Sequence, residues 1–101
     1  MNLLTNELIQ KIPKLYETET IPQKDKIAHV KLFLPGTACT WYIVEYDGLD
    51  TCFGLVDLGY EQDVEFGYFS IKELSEAKSL YGLVVERDIY FEPRSFDAVH
   101  A

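Results

Sequence analysis

A chain of 101 residues with 48% hydrophobic and 14% aromatic content carries enough apolar side chain for one core, since folding at this size buries about two-thirds of the unfolded surface. That composition excludes a disordered chain. A formal net charge of −8 disfavours direct nucleic-acid binding, which needs Lys and Arg against the phosphates. Two cysteines without CxxC spacing, Cys39 and Cys52, supply neither a disulfide framework nor a zinc or redox motif.

In chain order, Leu3, Leu4, Leu8, Ile9 and Ile12 recur at helical spacing, Thr5 or Asn2 offers a cap, and Pro13 stops the run. This predicts a short N-terminal helix. Lys14 to Lys26 reads as an extended connector anchored by Leu15 and Tyr16. From Ile27 the period becomes two, with Ala28, Val30, Leu32 and Leu34 on one side and His29, Lys31 and Phe33 on the other, which predicts a half-buried strand.

Pro35-Gly36 breaks that strand, and Trp41 to Tyr46 forms the second. Asp47-Gly48 supplies turn chemistry before a third strand from Thr51 to Leu58, a turn follows over Gly59 to Asp63, and Val64 to Phe69 forms a fourth. Ser70 with Glu73 three residues on is a capping box opening a second helix, whose stripe is Ile71, Leu74 and Ala77 with Leu80 near its end. Leu83 to Phe91 is either two short extended pieces around the charged corner Glu86-Arg87-Asp88 or one edge strand. After Pro93, Arg94 to His100 suits a short helical turn capped by Ser95. The fold class is α+β: one domain over residues 1–101, with an antiparallel meander of four to five strands, an N-terminal helix, a helix after the fourth strand and a short C-terminal helical turn.

Several stretches together resemble the DUF2958 family. They are IPKLYETE (Ile12–Glu19), VKLFLP (Val30–Pro35), TWYIVEYDG (Thr40–Gly48), FGLV (Phe53–Val56), EFGYFS (Glu65–Ser70), IKEL (Ile71–Leu74) and GLVVERDIYFEP (Gly82–Pro93). Their order, covering nearly the whole chain, carries the resemblance. It implies a small bacterial protein of the kind found on mobile elements, and it implies no reaction.

Charge is uneven. Residues 1–31 sum to +1, residues 32–71 to −7 without a single Lys or Arg, and residues 72–101 to −2. Solubility is the bland account of such a stretch; a face for a basic partner is the sharper one. The Glu86-Arg87-Asp88 triplet can anchor a partner's charge, although an architectural fork from Arg87 to Glu45 or Glu65 weighs more. Glu45 and Glu65 could act as paired carboxylates, but their spacing is no metal loop, and most acids of this region suit a solvated outer face.

His29 and His100 stand too far apart in sequence to suggest a zinc site. The aromatic residues around Trp41 and Tyr68 lack the cationic groove of a single-strand binder and suit core packing, with Trp41 and Tyr68 as partner anchors. Gly54, Gly59 and Gly67 fit bulges, turns and close packing.

The sequence therefore points to a small cytoplasmic interaction module for a protein partner, a basic one among the candidates. Its binding candidates are Trp41, Glu45, Glu65, Tyr68, Glu86, Arg87 and Asp88. No catalytic residue, metal, cofactor, direct nucleic-acid contact or membrane segment is expected. The alternative is a small enzyme that gathers Glu45, Glu65, Arg87 and Asp88 in one pocket.

Overall fold

Thr5 opens the first helix, α1 (Asn6–Lys11), by accepting the Leu8 N–H on its hydroxyl at 3.2 Å. Pro13, which has no N–H to give, follows directly on its C-cap Ile12. The structure is a computed structural model that describes residues 2–59, 64–79 and 81–99. The described residues form two sheets. Strands β1 (Ile27–Ala28), β2 (Val30–Phe33), β3 (Thr40–Tyr46), β4 (Thr51–Asp57) and β5 (Val64–Ser70) precede helix α2 (Ile71–Glu76). Strands β6 (Glu86–Arg87) and β7 (Arg94–Ser95) and the short helix α3 (Phe96–Val99) complete the chain.

The main sheet has the order β5-β4-β3-β2-β6 with every pairing antiparallel, and β1 pairs with β7 beside it. The meander is as the periodicity predicts. Of the two readings of Leu83 to Phe91 the edge strand holds in part: Glu86 and Arg87 of the charged corner themselves join the sheet as a fifth strand, with Leu32 facing Arg87 and Phe33 facing Glu86. No helix among the described residues is long and apolar enough to cross a membrane.

Both faces of the sheet are covered. One packs Leu3, Leu4 and Ile12 from the N-terminal segment, with Leu74 of α2, against Val30, Leu32, Trp41, Ile43 and Cys52. The other packs Ala28, Val44 and Leu55 against Phe96 of α3, with Tyr42, Phe53 and Phe66 around them. Phe96 meets Phe66 and Tyr42 edge-on, at centroid distances of 5.0 Å and 5.8 Å, a favourable aromatic geometry.

Local chemistry fixes the turns, and much of it comes from the acids. Asp47 Oδ1 accepts the N–H groups of Leu49, Asp50 and Thr51 at 2.8, 2.8 and 3.0 Å, closing the β3–β4 turn. Asp50 in turn accepts the Ser70 hydroxyl at 2.6 Å and the Lys72 N–H at 2.7 Å, while Ser70 Oγ accepts the Glu73 N–H at 3.1 Å. Asp57 accepts the Gly59 N–H at 2.8 Å. The negative stretch is thus in large part a set of backbone caps. Glu61 and Asp63, which belong to it, lie outside the described residues.

Four expectations need correction. The strand from Ile27 is broken at His29, whose N–H bonds Ile43 O at 2.8 Å, so Ala28 packs on the opposite face from Val30 and Leu32. Helix α2 ends at Glu76, because the chain folds back: Lys78 bridges Val84, and Ser79 N–H bonds Leu83 O at 2.8 Å. Leu80 and His100 lie outside the described residues. Trp41 is no exposed anchor, since it is buried with Leu32 and Ile43. The connector after Pro13 is a series of turns with a 3-10 helix at Gln23–Asp25. Its Tyr16 is exposed, and its buried anchors are Thr18 and Lys26.

Candidate functional site

An irregularity in β3 builds the site. Ile43 pairs with Gly54, but Glu45 pairs with Phe53, so Val44 is an extra residue between them. Such a bulge places two successive side chains on one face of the sheet. Val44 and Glu45 therefore both face the side of Phe53, and Tyr46 returns to the side of Cys52. Gly54 makes room for it, as a Cβ there would lie 1.7 Å from Tyr42 O.

Turned this way, Glu45 is not a solvated acid. It is 3% exposed, and a carboxylate at such depth must be hydrogen-bonded. Its Oε1 accepts the Tyr16 N–H at 2.8 Å, and its Oε2 accepts the Thr18 N–H at 3.1 Å and the Thr18 hydroxyl. Lys26, 6% exposed, donates from Nζ to Thr18 O and, at 3.1 Å, to Thr18 Oγ1. Thr18 thus relays between a buried ammonium and a buried carboxylate. The Lys26 ammonium also lies 5.9 Å from the centroid of Phe53, within cation–π range.

The connector pays a backbone strain for this arrangement. Tyr16 has φ of 73°, the one non-glycine residue with positive φ among those described, a conformation that costs on the order of 1–3 kcal/mol and clusters at functional sites. Held so, Tyr16 lies beside Tyr68 of β5, and both rings are more than half exposed. A cleft of about 530 Å³ opens there, lined by Tyr16, Glu19, Lys26, Glu45, Phe53 and Tyr68. The Tyr68 hydroxyl is pushed above its ordinary range, first by desolvation and then by the neighbouring Tyr16 and the charges of Glu45 and Glu19.

Glu86, Arg87 and Asp88 form a separate place. With Ile89, Tyr90 and Phe33 they line a cavity of about 520 Å³ beside β6. Lys31 and Asp88 approach at 3.9 Å. Arg87 does not fork to Glu45 or Glu65; its Nη1 donates to Leu3 O at 2.8 Å and ties the edge strand to the N-terminal segment.

Glu65 is exposed on β5. It sits at the opposite edge of the sheet from Arg87, four strand spacings or about 19 Å away. The structure therefore brings Glu45 together with Tyr68, and Glu86 with Arg87 and Asp88. It does not bring Glu45, Glu65, Arg87 and Asp88 into one pocket.

The sequence does not single out Tyr16 as a rim residue, Glu19 or Lys26 in the cleft, nor Thr18 buried behind it. Nothing in a polar connector distinguishes them, and the one available signal was Gly54 opposite a run of β-formers. The family model described as "Protein of unknown function (DUF2958)" matches residues 3–100. No curated protein and no solved structure matches the chain.

Proposed function

The chain belongs to the DUF2958 family, whose description assigns no activity, and from its own surface we propose that it is a cytoplasmic protein-binding module whose Tyr16–Tyr68 cleft receives a basic side chain of its partner. The observation that carries this is a pair of exposed tyrosines lining one cleft with a buried carboxylate. Aromatic faces attract an ammonium or guanidinium. Two carboxylates, Glu19 and Glu45, line the cleft against the one ammonium of Lys26. The net charge of −8 adds long-range attraction for a basic protein. A nucleic-acid-handling protein of a bacterial mobile element is the counterpart we propose.

The test is titration with a short Lys- and Arg-bearing peptide and with a matched Glu-bearing one, followed by amide chemical shifts at two salt concentrations. The basic peptide should shift Tyr16, Glu19 and Tyr68, more weakly at high salt, and Tyr68→Ala should abolish the response. Equal shifts from both peptides, or shifts confined to residues away from the cleft, would sink the proposal.

A further inference from the structure

The two edges of the main sheet are unlike. Strand β6 is two residues long and tied down by the Arg87–Leu3 bond. Strand β5 runs seven residues, VEFGYFS, with β4 on one side. Among the described residues no backbone or side-chain hydrogen bond reaches its other side. Proteins ordinarily guard such an edge with Lys, Pro, a bulge or a covering segment. β5 has no Lys or Pro, and its seven pairings with β4 run in unbroken register.

We propose that β5 is a homodimer edge, pairing antiparallel with β5 of a second copy about a two-fold axis at Gly67. The sequence of the strand suits its own reverse. With Gly67 on the axis, Phe66 faces the second copy's Tyr68, Glu65 faces its Phe69, and Val64 faces its Ser70. No like charges stand opposite one another, since the two Glu65 carboxylates are offset by four residues, about 14 Å, beyond a Debye length of about 8 Å in physiological salt. The two Phe66–Tyr68 pairs would continue the aromatic row in which Phe53 stacks on Phe66 at 5.9 Å and meets Tyr68 at 5.1 Å. Aromatic cross-strand pairs of this kind stabilise sheets.

Gly67 has nothing within 4 Å of a Cβ placed on it, and its φ is not positive, so larger residues fit the isolated chain. That permits a charge-swap test by sedimentation velocity across the micromolar to millimolar range. Wild type should sediment at twice 11.6 kDa as concentration rises, and more so at high salt, which screens the −8 carried by each copy. Gly67→Lys and Gly67→Glu should each be monomeric, with wild-type circular dichroism, and their equimolar mixture should recover the dimer. A wild type that stays monomeric throughout overturns the proposal, whether or not the edge accepts a strand of another protein. So does a dimer that survives both substitutions. Neither outcome bears on the cleft, which is scored by peptide shifts.

Discussion

Replacing Gly54 by Ala should damage this fold more than any other single methyl group. The added Cβ would lie 1.7 Å from Tyr42 O, 2.8 Å from Tyr42 C and 3.2 Å from Ile43 Cα. The first distance is roughly 1.6 Å short of the closest carbon–oxygen approach between strands. All three atoms are backbone in the middle of the sheet, so no rotamer change relieves the clash and β3 must move away from β4. Overpacking costs about 1–3 kcal/mol, and two weakened ladder bonds add about 2 kcal/mol. The loss of chain entropy in the unfolded state returns about 0.7 kcal/mol. The net is about 3 kcal/mol, which at a urea slope of about 1.5 kcal/mol/M lowers the unfolding midpoint by roughly 2 M.

Gly67, paired directly with Gly54, is the internal control. Gly67→Ala should be neutral or stabilising by about 0.5 kcal/mol, because the space is open. Urea unfolding of the two variants measures both, and equal midpoints would refute the assignment of Gly54 to the bulge.

The remaining expectations follow from the buried and capping groups. Glu45→Gln sets an amide NH₂ against at least one N–H donor and should cost about 1–3 kcal/mol, whereas Glu45→Ala leaves the Tyr16 N–H, the Thr18 N–H and the Thr18 hydroxyl all without their acceptor and should cost about 3–5 kcal/mol; urea midpoints separate the two. Hydrogen bonds hold Asp47 and Asp50 below their ordinary value of 3.8, from the Asp50 and Leu49 amides for Asp47 and from the Ser70 hydroxyl and Lys72 amide for Asp50. Their stabilisation is therefore complete above pH 3.8 and is lost as pH falls through the lower folded-state values. An acid titration followed by circular dichroism should be shallower in the Asp47→Asn, Asp50→Asn double variant. Burial lowers the pKa of His29 from 6.5, so its neutral form is favoured in the fold. That contribution is full above pH 6.5 and declines below it, and His29→Gln should flatten this part of the stability–pH profile.

Much of the fold was legible because it rests on local chemistry. The caps at Thr5 and Ser70 and the Asp47-Gly48 turn each act within a few residues, and each appears where the sequence places it. The site was not legible for the opposite reason. A bulge at Val44 leaves no mark in TWYIVEY, whose residues are all strand formers except Glu45. Strict alternation puts Glu45 on the wrong face, and only the crowding at Gly54, in a different strand, encodes the shift. Thr18 and Lys26 are polar residues in a polar connector, and their burial depends on a carboxylate 27 residues from Thr18. The Arg87 contact spans 84 residues and ends on a backbone carbonyl, which no pairing of side-chain charges could suggest.

The route by which the last third of the chain returns to the first has a consequence for folding in time. Strands β3, β4 and β5 can zip as successive hairpins, but the outer side of β2 waits for Glu86–Arg87, and β1 waits for Arg94–Ser95. As the chain emerges from the ribosome, the outer side of β2 and the whole of β1 therefore stay unpaired until residues 86–95 arrive. Closure over such long separations is the slow step in sheet proteins, and an open edge in the interval invites pairing with neighbours. Shortening the chain before Glu86 would make that interval permanent, so truncated products should aggregate rather than persist as smaller folded units.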